Sequence, residues 1–145
     1  MFRQIKIMTN NDFDKIITDT IEEIKNTLLV KAKEYQRNEN PFHNFDVGSK
    51  RSGLIREKVL DGFLLKHEIS IADMTNDLEK NVIPKIETVN EKFNDNIIYL
   101  LLKKASVIDK INITTRNSKY YDLLDATDKL QVKDPTLDCK IIEIT

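Results

Sequence analysis

KIETVNEKFNDNIIYLLLKKASVIDK, residues 85–110, is the stretch of sequence that decides the fold. Its apolar residues return every three or four positions, which is the period of one face of an α-helix. That face is formed by Ile86, Val89, Phe93, Ile97, Leu100 and Val107. Ile98, Leu101 and Leu102 fall on other sides. A helix that is apolar nearly all round is covered on several sides, so we expect this one to be the central helix of an all-α protein.

Two more amphipathic helices are predicted upstream, at about Asp12–Arg37 and about Leu54–Glu79. The apolar stripe of the first is Phe13, Ile17, Ile21, Ile24, Leu28, Ala32 and Tyr35. The stripe of the second is Leu60, Leu64, His67, Ile71, Met74 and Leu78. Residues 1–111 are therefore expected to form a bundle of three long helices. Between the first two helices, residues 38–53 contain a proline and two glycines without a helical period, which predicts a long loop.

The last part of the chain, residues 112–145, has a different pattern. Ile111, Ile113 and the apolar cluster at 120–124 fit either a strand or a short helix. Lys129–Lys133 and Cys139–Ile144 are short alternating or β-branched runs separated by Asp134, Pro135 and Thr136. This pattern predicts a C-terminal extension with a β-hairpin.

Composition excludes several classes of protein. The chain has 145 residues, 40% hydrophobic and 32% charged, which is typical of one globular domain. A net charge of −1 argues against generic nucleic-acid binding, which needs a basic excess. The single cysteine, Cys139, allows no internal disulfide, and no apolar run is long enough to span a membrane. We therefore expect a cytoplasmic protein that does not bind membranes.

Three long helices leave one side of the central helix uncovered. A second subunit would complete a four-helix layer, which is a common bundle arrangement. The sequence thus predicts a homodimer or a higher homo-oligomer.

Acidic residues on the central helix are candidates for a metal site. Glu91, Asp95 and Tyr99 are four residues apart, so they lie along one side of the helix. Two carboxylates that face inward repel each other unless a cation neutralises them, and Mg²⁺ prefers oxygen ligands that also bridge to phosphate. The alternative is a solvated helix end, where carboxylates favour the N-terminal dipole.

A comparable polar line on the second helix consists of Lys66, Ser70, Asp73 and Asp77. Lys66 is a candidate for contacting phosphate, and either aspartate is a candidate for completing the metal site. The competing interpretation is a solvated face of mixed charge.

Aromatic and amide residues in the predicted loop are candidates for holding a base. Phe42 and Phe45 flank His43 and Asn44; rings stack on bases, and an amide can pair with a base edge. Equally, the two phenylalanines can pin the loop to the core. His67, inside an apolar stripe, fits a hydrogen-bonded structural residue or an acid–base group.

Four short motifs together resemble a family of small phage proteins. They are Lys33-Glu34-Tyr35, His43-Asn44-Phe45, Lys66-His67-x-x-Ser70-x-x-Asp73-Met74 and Glu91-Lys92-x-x-Asp95-x-x-x-Tyr99-Leu100. The family is described as nucleotide modification associated domain 1, or as MazG-like all-α nucleotide pyrophosphatases, and the resemblance covers roughly residues 16–105. It implies a helical bundle in which carboxylates hold Mg²⁺ for cleavage of a nucleoside triphosphate.

Carried onto this chain, the resemblance makes Glu91 and Asp95 the catalytic metal-binding pair, assisted by Asp73 or Asp77. The residues predicted to contact the nucleotide are Tyr35, Phe42, His43, Asn44, Phe45, Lys66, His67 and Tyr99. The family's Glu-Glu-x-x-Glu cluster begins here with Glu22 and Glu23, but Asn26 stands at its third position. Two nucleotide functions are therefore expected: an Mg²⁺-dependent pyrophosphohydrolase, or a protein that sequesters a host signalling nucleotide without cleaving it and so counters defence. The third possibility is a helical module with a purely structural or protein-interaction role.

Overall fold

The computed structural model describes the backbone of residues 7–35 and 39–131, and the side chains of residues 7–30 and 39–125. The described residues form four α-helices and no strand: α1 (Asn10–Tyr35), α2 (His43–Ser52), α3 (Arg56–Glu79) and α4 (Ile86–Gln131). The all-α class is thereby confirmed. The chain divides into two compact units, Met1–Ser106 and Val107–Thr145. None of the helices in the described ranges is long and apolar enough to cross a membrane.

Helix α1 begins with a capping box. The Thr9 backbone N–H and hydroxyl both donate to Asp12 Oδ2, at 3.0 and 2.8 Å, and the Asp12 N–H donates back to Thr9 Oγ1 at 3.2 Å. This reciprocal pair satisfies N–H groups that have no partner inside the helix. The cap is therefore Thr9.

The predicted loop between the first two helices is wrong over most of its length, because α2 occupies His43–Ser52. Gly53 ends α2 in the left-handed conformation, with φ 72°, and its N–H donates to the Ser49 carbonyl at 2.9 Å. Gly48 is a contact residue inside the helix: a Cβ there would lie 3.1 Å from a methyl group of Val59. Gly53 thus ends the helix, and Gly48 allows it to pack closely on α3.

Helices α3 and α4 run antiparallel in the first unit, as three polar pairs along them show. Lys92 bonds to Ser70, Lys103 bonds to Asp61, and Ser106 donates to Glu57 at 2.5 Å. Residue numbers fall on one helix as they rise on the other. Among the described side chains of the first unit, the buried apolar ones are Ile24, Phe42, Leu60, Leu64, Met74 and Ile98.

Helix α4 does not end near Lys110 as predicted but continues to Gln131. No glycine or proline occurs between Pro84 and Pro135, so nothing in this stretch breaks the helix. The first predicted strand of the hairpin, Lys129–Lys133, is therefore wrong over residues 129–131. Residues 132–145, with the second predicted strand, lie outside the described part of the chain.

Candidate functional site

Four rings from three helices form one cluster, which we call the aromatic cluster: Phe45, Phe63, His67 and Tyr99. Tyr99 stacks on Phe63, with ring centroids 5.3 Å apart and planes 6° apart. His67 stacks on Tyr99 at 5.0 Å and 23°. Phe45 meets Phe63 and Tyr99 edge-on, at 5.8 and 6.4 Å. Offset stacks and edge contacts are the favoured geometries of aromatic pairs, so the cluster ties α2, α3 and α4 together.

The aromatic cluster borders a groove of ≈ 840 Å³ in the first unit. Three of the four cluster rings line it, while the rest of the wall is mostly aliphatic. The lining residues are Ile21, Ile24, Lys25, Leu28, Leu29, Pro41, Asn44, Phe45, Phe63, Ile97, Ile98, Tyr99, Leu101 and Leu102. A concave, mostly apolar site with a few polar groups is the usual form of a small-molecule site.

Two polar side chains on this wall can orient a ligand. Asn44 on α2 is exposed and offers an amide donor and acceptor. Lys25 on α1 is the one charged residue among the described residues that line the groove. One amide and one cation on an apolar wall suit a ligand with an aromatic ring and an anionic group.

The residues of the predicted loop take three different positions. Asn44 and Phe45 line the groove. Phe42 is buried, and its ring lies 4.2 Å from the Arg56 guanidinium carbon, so its role is packing. His43 is half-buried at the start of α2 and does not line the groove. Tyr35 ends α1, and its side chain lies outside the described set.

A partly buried polar network holds α2 in the position that presents Asn44 and Phe45. Asn40 Nδ2 donates to Asp46 at 2.8 Å, and Arg56 Nη1 donates to the other oxygen of Asp46 at 3.3 Å. Arg56 Nε donates to Ser106 Oγ at 2.7 Å, and Ser106 donates to Glu57. Ser106 is fully buried. Because a buried polar group must keep its partners, this network specifies one arrangement of three helices.

The predicted metal-binding carboxylates do not lie on the groove. Asp73 and Asp77 line a separate pocket of ≈ 190 Å³ together with Ser70 and Lys92. Glu91 is exposed and Asp95 is half-buried, and neither lines either pocket. Among the side chains of residues 7–30 and 39–125, no three from His, Cys, Asp or Glu come together in a group that could hold a metal ion.

The cation near Asp73 and Asp77 is also different from the predicted one. Lys66 is exposed and lines neither pocket. Lys92 from α4 enters the small pocket and bonds to Ser70. Lys92 is one helical turn before Asn96 and two before Tyr99, on the side of α4 that faces α3.

Among the aromatic and charged residues of the groove wall, Phe63 and Lys25 were not predicted as site residues. Phe63 lies four residues before His67, so the ring pair on one face of α3 was a usable signal. Lys25 gives no such signal, because an isolated lysine on an amphipathic helix is ordinarily solvated.

Off the groove wall, the Lys103 ammonium holds the pKa of Asp61 below its ordinary value of 3.8 by a hydrogen bond, opposed by some desolvation. Lys58, at 3.5 Å, acts in the same direction. This ion pair joins α3 to α4 away from the groove wall.

Comparison with protein-family models, with curated proteins and with solved structures finds no match for this chain. The resemblance to the MazG-like family therefore stays a prediction that rests on the four short motifs.

Proposed function

We propose that this protein binds a nucleotide, or a small molecule derived from one, in the groove. The observation that carries the proposal is the aromatic cluster: Phe45, Phe63 and Tyr99 present ring surface and ring edges to a groove of ≈ 840 Å³. Stacking of a base on an aromatic side chain contributes about 1–3 kcal/mol and tolerates any base. The size and the rings of the site fit a ligand of this class.

The polar residues of the wall support the same ligand. The Asn44 amide can donate to and accept from a base edge, while the Lys25 ammonium attracts a phosphate. In the described part of the chain, Lys25 is the one charged residue that lines the groove. A ligand with few phosphates therefore fits this wall better than a triphosphate.

Between the two expected functions, binding without cleavage is the better supported. Glu91, Asp95, Asp73 and Asp77 all lie off the groove wall, so a ligand held there is not surrounded by the predicted magnesium ligands. A protein of this kind would sequester its nucleotide. The sequestering role, the phage origin and the target in host defence come from the family resemblance and stay predictions.

Pyrophosphohydrolysis remains the second candidate, because one feature favours it. Asp73 and Asp77 lie beside Lys92 in the small pocket, which brings two carboxylates and a cation within one cavity. Carboxylates of this kind can bind Mg²⁺ and through it a phosphate. In that case Asp73 and Asp77 would hold the metal and Lys92 would take the place predicted for Lys66.

The proposal is tested in two steps. Mass spectrometry of the small molecules released from the purified protein identifies any ligand that co-purifies. Calorimetric titration with nucleoside mono-, di- and triphosphates and cyclic nucleotides, with and without Mg²⁺, then measures affinity, and chromatography of the recovered ligand detects cleavage. We expect binding without Mg²⁺ and recovery of intact ligand.

Phe45→Leu removes a groove ring, and Phe93→Leu is its matched control, because Phe93 is 43% exposed on α4 and does not line the groove. We expect at least a fivefold loss of affinity in the first variant only. Cleavage products that depend on Mg²⁺ and disappear in Asp73→Asn would favour the hydrolase. Absence of binding across the panel would overturn the proposal.

A further inference from the structure

Helix α1 gives the groove a part of its wall that differs in chemistry from the rest, and we call this part the α1 wall. It consists of Ile21, Ile24, Lys25, Leu28 and Leu29. The Asn44 amide and the three rings of the groove belong to α2, α3 and α4. Among the described side chains, the α1 wall therefore offers neither a ring nor an amide to a base, and its surface is aliphatic apart from one lysine.

The apolar side chains of the α1 wall are open to solvent over much of their surface. Ile21 is 61% exposed and Leu29 is 56% exposed, while Leu101 on α4, which lines the same groove, is 41% exposed. Covering hydrocarbon of this kind with another apolar group is favourable. The sugar of a plain nucleotide does not achieve this, because hydroxyl groups placed against aliphatic side chains lose water without gaining a partner. A ligand that fills the groove favourably therefore carries hydrocarbon as well as a ring.

Lys25 indicates how this hydrocarbon is attached. Lys25 is the one charged residue among the described residues of the groove, and it lies one helical turn from both Ile21 and Leu29. A phosphate monoester carries about −1.5 to −2 charges at neutral pH, which one ammonium group does not balance. A phosphodiester carries a single negative charge, like each phosphate of a nucleic-acid backbone. One cation thus matches a phosphate whose second ester bond holds another group.

We propose that the α1 wall is a subsite for an aliphatic chain, and that the ligand is a nucleotide whose phosphate is esterified by an aliphatic alcohol. Lys25 binds the phosphate, the rings and Asn44 hold the base, and the chain lies along Ile21 and Leu29. The nucleoside half of this inference rests on the proposed function, whereas the chain half rests on the α1 wall alone.

The dimensions of the groove suit such a ligand. Ile21 and Leu29 are eight residues apart, which is about 12 Å along a helix. A staggered carbon chain advances about 1.3 Å per carbon, so roughly nine carbons span this length. The groove volume of ≈ 840 Å³ lies within the range of about 300–1,000 Å³ that is usual for sites that bury most of a small molecule. The groove thus has room for a nucleoside together with a chain.

Calorimetry with a homologous series tests the chain subsite. The probes are the methyl, butyl, octyl and dodecyl esters of adenosine 5′-monophosphate, each below its critical micelle concentration, and adenine serves because stacking tolerates any base. Each added methylene should lower the dissociation constant about twofold up to the octyl ester, since the wall covers the chain on one side. The dodecyl ester should bind no more than about threefold tighter than the octyl ester, because its last carbons extend beyond the wall.

Two leucines of equal exposure provide matched variants. Leu29 lies on the α1 wall, Leu65 lies on α3 and does not line the groove, and each is 56% exposed. Leu29→Gln should lower the affinity for the octyl ester about fivefold more than the affinity for the methyl ester, whereas Leu65→Gln should change neither. Lys25→Gln should weaken both esters equally, because it acts on the phosphate that they share. Circular dichroism confirms that the three variants keep their helix content.

Octyl methyl phosphate has the same chain and the same charge without a nucleoside, so it separates this inference from the proposed function. It should bind about tenfold more weakly than the octyl nucleotide ester. If instead the two bind equally, the proposed function fails and the chain subsite stands. Equal affinity for the methyl and octyl nucleotide esters overturns the chain subsite and leaves the proposed function standing. A gain that continues unchanged to the dodecyl ester, or that Leu65→Gln removes as well as Leu29→Gln, indicates unspecific adsorption and overturns the subsite too.

Discussion

Arg56 Nε donates a hydrogen bond of 2.7 Å to Ser106 Oγ, although the two residues are fifty positions apart in the chain. The same guanidinium bonds to Asp46 on α2 at 3.3 Å and covers the ring of Phe42 at 4.2 Å. Its side chain is only 15% exposed. Arg56 is therefore the group that fixes α2 against α3 and α4, and with α2 it fixes the wall of the groove.

Arg56→Lys should destabilise the protein by about 1–3 kcal/mol. Lysine keeps the charge but has a single nitrogen, so it cannot bond to Ser106 and Asp46 while also stacking on Phe42. Urea unfolding measures the change in free energy. Arg51→Lys is the control, because Arg51 is exposed in the last turn of α2 and should shift the midpoint little. Equal effects of the two substitutions would contradict the role given to Arg56.

Gly53→Ala should cost about 1 kcal/mol of stability. Nothing lies within 4 Å of an added Cβ, so the cost comes from the positive φ of 72° that alanine adopts with strain. Gly62→Ala provides the opposite case: the position lies inside α3 with open space around it, and alanine should stabilise the helix by roughly 0.5–1 kcal/mol. Thermal unfolding of the two variants should therefore shift in opposite directions.

The long helices could be predicted because periodic apolar residues mark them. The bounds observed for α1 and α3 differ from the predicted ones by two residues at most. Helix α2 could not be found in this way, since its ten residues contain no apolar stripe and its N-cap residue, Phe42, makes no side-chain cap bond. The C-terminal end of α4 was predicted too early. The β-branched residues after Lys110 favour a strand, but no glycine or proline breaks the helix there.

The site could be predicted only where its residues were recognisable by type. Phe45 was selected as a ring that stacks on a base, whereas His67 and Tyr99 were selected through their helix positions and the short motifs; the fold brings the three rings together around Tyr99. The pairing of Lys92 with Ser70 was missed, because spacing shows which residues share a side of one helix and not which neighbouring helix they face. The network around Ser106 was missed for the same reason.

Asp61→Asn should destabilise the protein near neutral pH and have less effect in acid. Because the Lys103 hydrogen bond lowers the pKa of Asp61 in the folded state, the ionised form stabilises the fold above 3.8, the ordinary pKa. That contribution is lost as the pH falls through the lowered value. The difference in Tm between wild type and variant should therefore shrink between pH 6 and pH 2.5. High salt should also reduce it, since the pair is partly exposed.

Tyr99→Leu should weaken binding of a nucleotide ligand by about five- to a hundredfold, because Tyr99 lines the groove and its stack on Phe63 holds that ring in the groove wall, where a base would contact it. Tyr99→Phe keeps the ring and should change the dissociation constant less than about threefold. Tyr120→Leu is the matched control, since Tyr120 is 60% exposed in the second unit, and it should leave affinity unchanged. Calorimetry with the ligand that shows the highest affinity gives the three constants. If Tyr99→Leu binds as tightly as Tyr120→Leu, the ring of Tyr99 serves packing alone and the base must lie elsewhere.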